Sequence, residues 1–320
     1  MKWKKKGKVF NPSEYKLLGE KTYFAQSPQT LVFDNFVRIY FSTRKKDPHS
    51  EKYLSFIAFA DFNKTFDEVL NLSSKPVIEL GGLGEFDEHG IFPINILKYN
   101  ETISAYTCGW SRRVSVSVET STGLAFSNDN GISFQKSGSG PILSSSLKEP
   151  MLVGDSFVQV YDGVYHMWYI FGQRWKKAEG NEPPARVYKI AHATSADGID
   201  WKKDEGKQII EDVLNNDECQ ALPTIVKIGN RFHMYFCFRQ ATDFRTNRDR
   251  AYKLGYAWSE DLINWERNDK QGGMEFSPTG WDSDMMCYPH IFKCDDKVFL
   301  LYNGNEFGRH GFGIAELEHV

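Results

Sequence analysis

Five times along its 320 residues the chain repeats one pattern: a proline or its equivalent, a short apolar run, a turn, then a run rich in aromatic side chains. The copies read SPQTLVFDNFVRIYFS, FPINILKYNETISAYT, DSFVQVYDGVYHMWYI, LPTIVKIGNRFHMYFC and YPHIFKCDDKVFLLYN. Their anchor column is Pro28, Pro93, Ser156, Pro223 and Pro289, at intervals of 63 to 67 residues. A fixed period of this size marks a repeat architecture, in which each unit hides its apolar face against the next. Three units continue into AFSNDNGISF, ATSADGIDW and AWSEDLINW. Ser127, Ser195 and Ser259 begin their turns, and Phe134, Trp201 and Trp265 follow. Short Asp/Asn/Gly turns between alternating strands are hairpin signals. The first unit has the degenerate AFADFNKTF and the last only GFGIAELE. Four strands in about 65 residues make a propeller blade. The expected fold is therefore all-β: one domain over 1–320, a five-bladed β-propeller of four-stranded antiparallel blades. The N-terminal segment or the GFGIAELE strand should help close the ring. Two β-sandwiches are the rival, but sandwiches do not repeat at a fixed period.

Composition narrows the function classes. With 41% hydrophobic and 25% charged residues the chain is not wholesale disordered, and a net charge of −3 does not suit a nucleic-acid-coating surface. No apolar run approaches the roughly 18 residues of a membrane span. The basic start MKWKKKGKVFNP lacks a following apolar stretch, so no secretory signal is expected. Cys108, Cys219, Cys237, Cys287 and Cys294 are odd in number and form no CxxC pair. They read as reduced thiols, and the expected location is the cytoplasm. HExxH, P-loop and GxSxG patterns do not occur.

The charge is stored in two sets of loops that a propeller opens on one face. Loops leading into the innermost strands carry Asp87 and Glu88, Glu149 and Asp155, Asp217 and Glu218, and Asp282 and Asp284. Glu88, Glu218 and Asp284 each stand five residues before their anchor proline, which predicts equivalent places around one mouth. Turn chemistry alone accounts for scattered acids but poorly for a repeated offset. Loops between second and third strands are basic and aromatic: TRKKDPHSEK, CGWSRRVSVSVE, GQRWKKAEGNEPPAR, RQATDFRTNRDR and NGNEFGRHG. From these and the inner strands, Trp110, Arg112, Asp155, Arg174, Trp175, Arg239, Arg245, Arg250, His290, Asn303 and Asn305 form the expected binding set. Guanidinium forks suit carboxylate, phosphate and polyol groups, and indole faces suit sugar rings. The bland reading is that each loop arginine pairs with a loop acid and merely stiffens the rim.

The five units, the acids before the inner strands and the aromatic second strands together resemble the five-bladed β-propeller glycosidases of glycoside hydrolase families 43, 32 and 130. The resemblance covers essentially the whole chain. DECQALP, VYKIAHATSADGIDW, GWDSDMMCYPH and YNGNEFGRHGFGIA look closest to family-32-like and family-43-like proteins of bacterial surface-polysaccharide systems. It implies a sugar site at the channel mouth, with Glu218 similar to a Glu-Cys acid/base motif. Axial waters or ions occur in similar propellers, but no ligand cluster in this sequence demands a metal, and no cofactor is expected. The chain departs from the pattern where those enzymes carry Asp-Pro: here stand Ser27-Pro28 and Phe92-Pro93. Either the acid roles move to Asp87, Glu88, Asp282 and Asp284, or hydrolysis is lost.

Three functions compete. A glycosidase needs a protonated carboxyl for the leaving oxygen and an ionised one for water or the anomeric carbon. Acids on adjacent blades would sit about 5–6 Å apart and those two blades apart about 9 Å, which leaves the stereochemistry open. A binding propeller would hold an anionic sugar or nucleotide sugar without turnover. A protein-interaction propeller ranks last. The expected partner is a carbohydrate or sugar nucleotide, not nucleic acid or membrane.

Overall fold

The protein, seen as a computed structural model that describes residues 1–48, 50–177 and 183–320, is built almost entirely of antiparallel strands. His49 and residues 178–182, parts of the first and third basic loops, lie outside the described residues. After β1 (Lys2–Phe10) comes a first group, β2 (Tyr23–Val32), β3 (Val37–Lys46), β4 (Tyr53–Phe62) and β5 (Val69–Leu72). The second is β6 (Gly90–Tyr99), β7 (Thr102–Arg112), β8 (Val118–Ser127) and β9 (Gln135–Lys136). The third is β10 (Met151–Tyr161), β11 (Val164–Lys176), β12 (Ala185–Ser195) and β13 (Lys202–Lys203). The fourth is β14 (Glu218–Ile228), β15 (Arg231–Gln240), β16 (Lys253–Ser259) and β17 (Glu266–Arg267). The last is β18 (Cys287–Cys294), β19 (Lys297–Asn303) and β20 (Phe312–His319).

Within each group the strands pair in sequence order. The last sheet runs β18-β19-β20-β1, so the N-terminal strand supplies the fourth member that GFGIAELE lacked. The single parallel bridge from Ser55 to Gly90 joins the first two groups into one eight-stranded sheet. The result is a propeller-type arrangement of four-stranded antiparallel sheets. No helix among the described residues is long and apolar enough to cross a membrane.

The repeated residues have repeated jobs. Ser127, Ser195 and Ser259 accept backbone N–H bonds at 2.8–2.9 Å from Gly131, Gly198 and Leu262, which folds each outer turn. Second-strand aromatics then latch onto the turn of the next unit. Tyr40 on β3 donates to the Gly131 carbonyl at 2.6 Å, and Tyr106 on β7 donates to that of Gly198 at 3.1 Å.

The innermost strands β2, β6, β10, β14 and β18 are almost wholly buried and each breaks register at its anchor. Ser27, Asp155, Leu222 and Tyr288, one residue before the anchor, have left-handed φ of 51–56°, and Phe92 precedes a cis Pro93. Such a bulge re-aims a side chain out of the ladder. Hydrogen bonds run between neighbouring inner strands. His290 meets Thr30 at 2.8 Å, Asn95 donates to Gln29 at 3.3 Å, and Val158 N–H donates to Asn95 at 2.9 Å. Leu222 N–H donates to Asp155, and Ile291 N–H donates to Thr224 at 3.1 Å. Burial holds the His290 pKa down at about 3, so its neutral ring can accept the Thr30 N–H at 3.1 Å.

Asn303 ties the ends together. It accepts from Ser27 N–H and donates to the carbonyls of Ala25 and Gly311, all at 2.8 Å. Replacing Asn303 by alanine would leave those buried groups without partners. A loss of about 2 kcal/mol is expected in urea unfolding, the cost of an unmet buried polar group.

Candidate functional site

A cavity of about 750 Å³ opens where the five groups meet, and every group contributes to its lining. Of the residues one before the anchor, Phe92, Asp155, Leu222 and Tyr288 face it, which is what the inner-strand bulges achieve. The floor is buried: Asp155, Tyr188, Leu222, Arg239, Tyr252 and Tyr288. Among the described residues seven cations line it, Arg44, Lys52, Arg112, Arg186, Arg239, Arg245 and Arg309, against two carboxylates, Asp155 and Glu306.

Arg239 rises from β15 with only 2% of its surface exposed. It donates to the Tyr188 hydroxyl at 2.9 Å and to the carbonyls of Gln240 and Ala241 at 2.7 and 3.2 Å, while its Nε has no partner. The Tyr188 and Tyr252 hydroxyls stand 2.8 Å apart. The Phe244 ring lies 3.6 Å from the Arg239 guanidinium and 4.3 Å from that of Arg245. Arg44 on β3 sits 4.9 Å from the Phe24 ring, and its buried Nε also lacks a partner. Burial and the nearby charges of Arg245 and Arg186 lower the Arg44 pKa. Among the described residues, no carboxylate comes within the 4.0 Å of an ion pair with Arg44, Arg186, Arg239 or Arg245.

Asp155 is the buried acid of the cavity. Burial pushes its pKa up to about 7, against the opposing pull of the Arg186 charge, the Leu222 N–H and the Cys108 thiol. Glu306 lies at the exposed rim. A hydrogen bond from His310, with Arg309 beside it, holds its carboxyl below the usual range.

The acids expected to catalyse are elsewhere. Asp87, Glu218 and Asp282 are buried in ion pairs with Lys136 at 2.6 Å, Arg267 at 2.6 Å and Lys5 at 2.7 Å. Each cation sits on the outermost strand of the same sheet, and Glu149 with Lys203 at 2.6 Å repeats the arrangement. Glu88 accepts from Gly84 N–H at 3.2 Å. Asp284 is exposed, 3.6 Å from Arg248. None of the five lines the cavity; the buried three are held instead by the cations of their own outermost strands.

Of the expected binding set the cavity gathers Trp110, Arg112, Asp155, Arg239 and Arg245. Arg174 pairs with Asp217 at 2.8 Å, and Trp175 lies opposite Arg186 in the β11–β12 ladder outside the lining. Arg250 donates to Thr242 at 2.9 Å and braces its own loop. Asn305 clasps the N–H groups of Asp284 and Met285 at 2.9 and 3.0 Å, while Asn303 and His290 act in the inner-strand network. Arg44, Lys52 and the aromatic walls Phe24, Tyr188, Phe244, Tyr252, Tyr288 and Phe307 were not among the expected set. An available signal was the column one residue before the anchor. No group of three or more His, Cys, Asp or Glu side chains is placed to hold a metal among the described residues.

The fold is the one seen in solved glycoside hydrolases of families 43, 32 and 130. A solved glycoside hydrolase matches with a TM-score of 0.73 and 15% identity, over 99% of this chain and 92% of that one. A thermostable family-43 glycoside hydrolase matches with 0.65 and 14% identity over 92% and 90%. A family-130 enzyme described as targeting β-1,2-mannosidic linkages in Candida mannan matches with 0.68 and 13% identity over 98% and 93%. No family model matches the chain. In sequence it is 30% identical to the uncharacterised protein Rv1502 of Mycobacterium tuberculosis strain H37Rv, over 320 residues and the full length of both. The same holds for MT1551 of strain CDC 1551. The chain belongs to the family of these mycobacterial proteins.

Proposed function

We propose that this chain is a five-bladed, carbohydrate-active propeller whose channel-mouth cavity binds an anionic sugar. The five-blade reading is supported by the inner-strand hydrogen bonds, which link first to second group and onward until fifth returns to first. One observation carries the ligand reading: the guanidinium groups of Arg44, Arg186, Arg239 and Arg245 enter one aromatic cavity with no carboxylate of the described residues in ion-pair contact. Charges of like sign brought together without counter-charge raise the free energy of the empty site and lower it again when an anion arrives. Aromatic walls supply the flat faces that sugar rings stack on.

A second reading, hydrolysis, is favoured by the two carboxyls in the lining. Asp155 is poised near pH 7 while Glu306 stays ionised, the division of labour that acid and base require. Both readings call for titration against acidic and neutral oligosaccharides, with product analysis alongside. Acidic ligands are expected to bind, and Arg245→Ala is expected to weaken them about 10- to 100-fold, the worth of a charge-assisted hydrogen bond of about 1.5–3 kcal/mol. A neutral analogue should lose far less. Equal losses for both ligands would make Arg245 a brace. Release of new reducing ends, lost in Asp155→Asn, would select hydrolysis.

A further inference from the structure

We infer that the anionic group this cavity takes is a phosphoryl group carried on a sugar, not a carboxylate; this rests on the anionic-sugar reading above. Geometry speaks first. A carboxylate offers two oxygens in one plane and is matched by one guanidinium fork. Here the forks come from three different sheets: Arg44 from β3, Arg186 from β12, and Arg239 from β15 with Arg245 in the loop that follows it. Donors converging from several directions suit the three non-coplanar terminal oxygens of a phosphoryl group.

Charge points the same way. A carboxylate brings one negative charge, whereas a phosphate monoester brings about 1.5 to 2 at pH 7. Seven cations around one cavity leave a single carboxylate outmatched. Arg239, nearly fully buried, has its Nε toward no protein acceptor, as does the buried Nε of Arg44. Lacking a P-loop, the chain would grip the group with side chains rather than with a backbone cradle.

The test is calorimetric titration of the full-length protein at fixed salt with glucose 1-phosphate, inorganic phosphate, glucuronate and glucose. The sugar phosphate should bind at least tenfold more tightly than glucuronate, inorganic phosphate should compete with it more weakly, and glucose should be weakest. Arg245→Gln at the exposed rim and Arg44→Gln, each with an unchanged melting profile, should lower sugar-phosphate affinity at least tenfold. Their effect on glucose should stay below threefold. Glucuronate binding as tightly as glucose 1-phosphate would overturn the phosphoryl assignment and leave the anionic-sugar reading intact. Inorganic phosphate binding as tightly as the sugar phosphate would overturn the sugar component. Failure of both phosphate probes to bind would overturn the inference even if acidic oligosaccharides bind.

Discussion

Replacing Glu218 by alanine is expected to destabilise the fold by about 3–5 kcal/mol, the usual cost of breaking a buried ion pair by removing one partner. Glu218 is fully buried, and the Arg267 side chain is only 4% exposed. One carboxylate oxygen takes Arg267 at 2.6 Å and Gln220 at 2.9 Å; the other takes the N–H groups of Val213 and Leu214, both at 2.9 Å. Alanine would leave two backbone donors unmet and Arg267 with Asp269 as its remaining carboxylate partner. Glu218→Gln keeps the shape and some acceptor capacity, so its loss should be smaller. Urea unfolding of the two variants measures this directly. Under conditions where the variant remains folded, ligand affinity should match the wild type. Full stability together with abolished ligand chemistry would restore Glu218 to a catalytic role.

That expectation also explains what the sequence could and could not reveal. The anchor column and the Ser-Asp turns were legible because each is a local device: a bulge or a hairpin is written in a few adjacent residues. The recurring acids were legible as a recurrence, but their partners were not. Glu218 meets Arg267 49 residues later and Glu149 meets Lys203 54 residues later. Asp282 meets Lys5, 277 residues away, because β1 completes the last sheet. A part repeated in several units serves what the units have in common, namely tying the entry of each innermost strand to the outermost strand of its sheet. A ligand site needs the opposite, different side chains at equivalent places. Phe92, Asp155, Leu222 and Tyr288 are that kind of column, one position with four different side chains. Arg44 and Phe244 were hidden for a further reason. Their meeting depends on how the first and fourth groups face one another across the cavity.

Asp155 should reveal itself through pH. Its pKa, raised to about 7 from the ordinary 3.8, means the folded protein keeps a proton that the unfolded chain releases above about pH 4. Through that window the unfolded state binds fewer protons, so stability attributable to Asp155 falls as pH rises. The contribution is fully present below about pH 4 and lost by the time pH passes about 7. At about 1.36 kcal/mol per pH unit, the change approaches roughly 4 kcal/mol. The raw stability curve will not show this cleanly. His192, His233 and His290 are buried with pKa values of about 4, 4 and 3, below the ordinary 6.5, and they act in the opposite sense. They remove stability as pH falls below about 6.5, where the unfolded imidazoles gain protons first. The difference between wild type and Asp155→Asn cancels them. Urea unfolding at intervals from pH 4 to pH 8 should therefore give a wild-type advantage that declines steadily relative to the variant. An anion in the cavity would favour the protonated acid, since ionised Asp155 repels it and offsets Arg186. Affinity for sulfate, whose own charge is constant over this range, should drop between pH 6 and pH 8 in the wild type and stay level in Asp155→Asn. Parallel curves for the two proteins in both measurements would show that Asp155 is ionised throughout, and the assignment of a neutral acid to the cavity floor would fall.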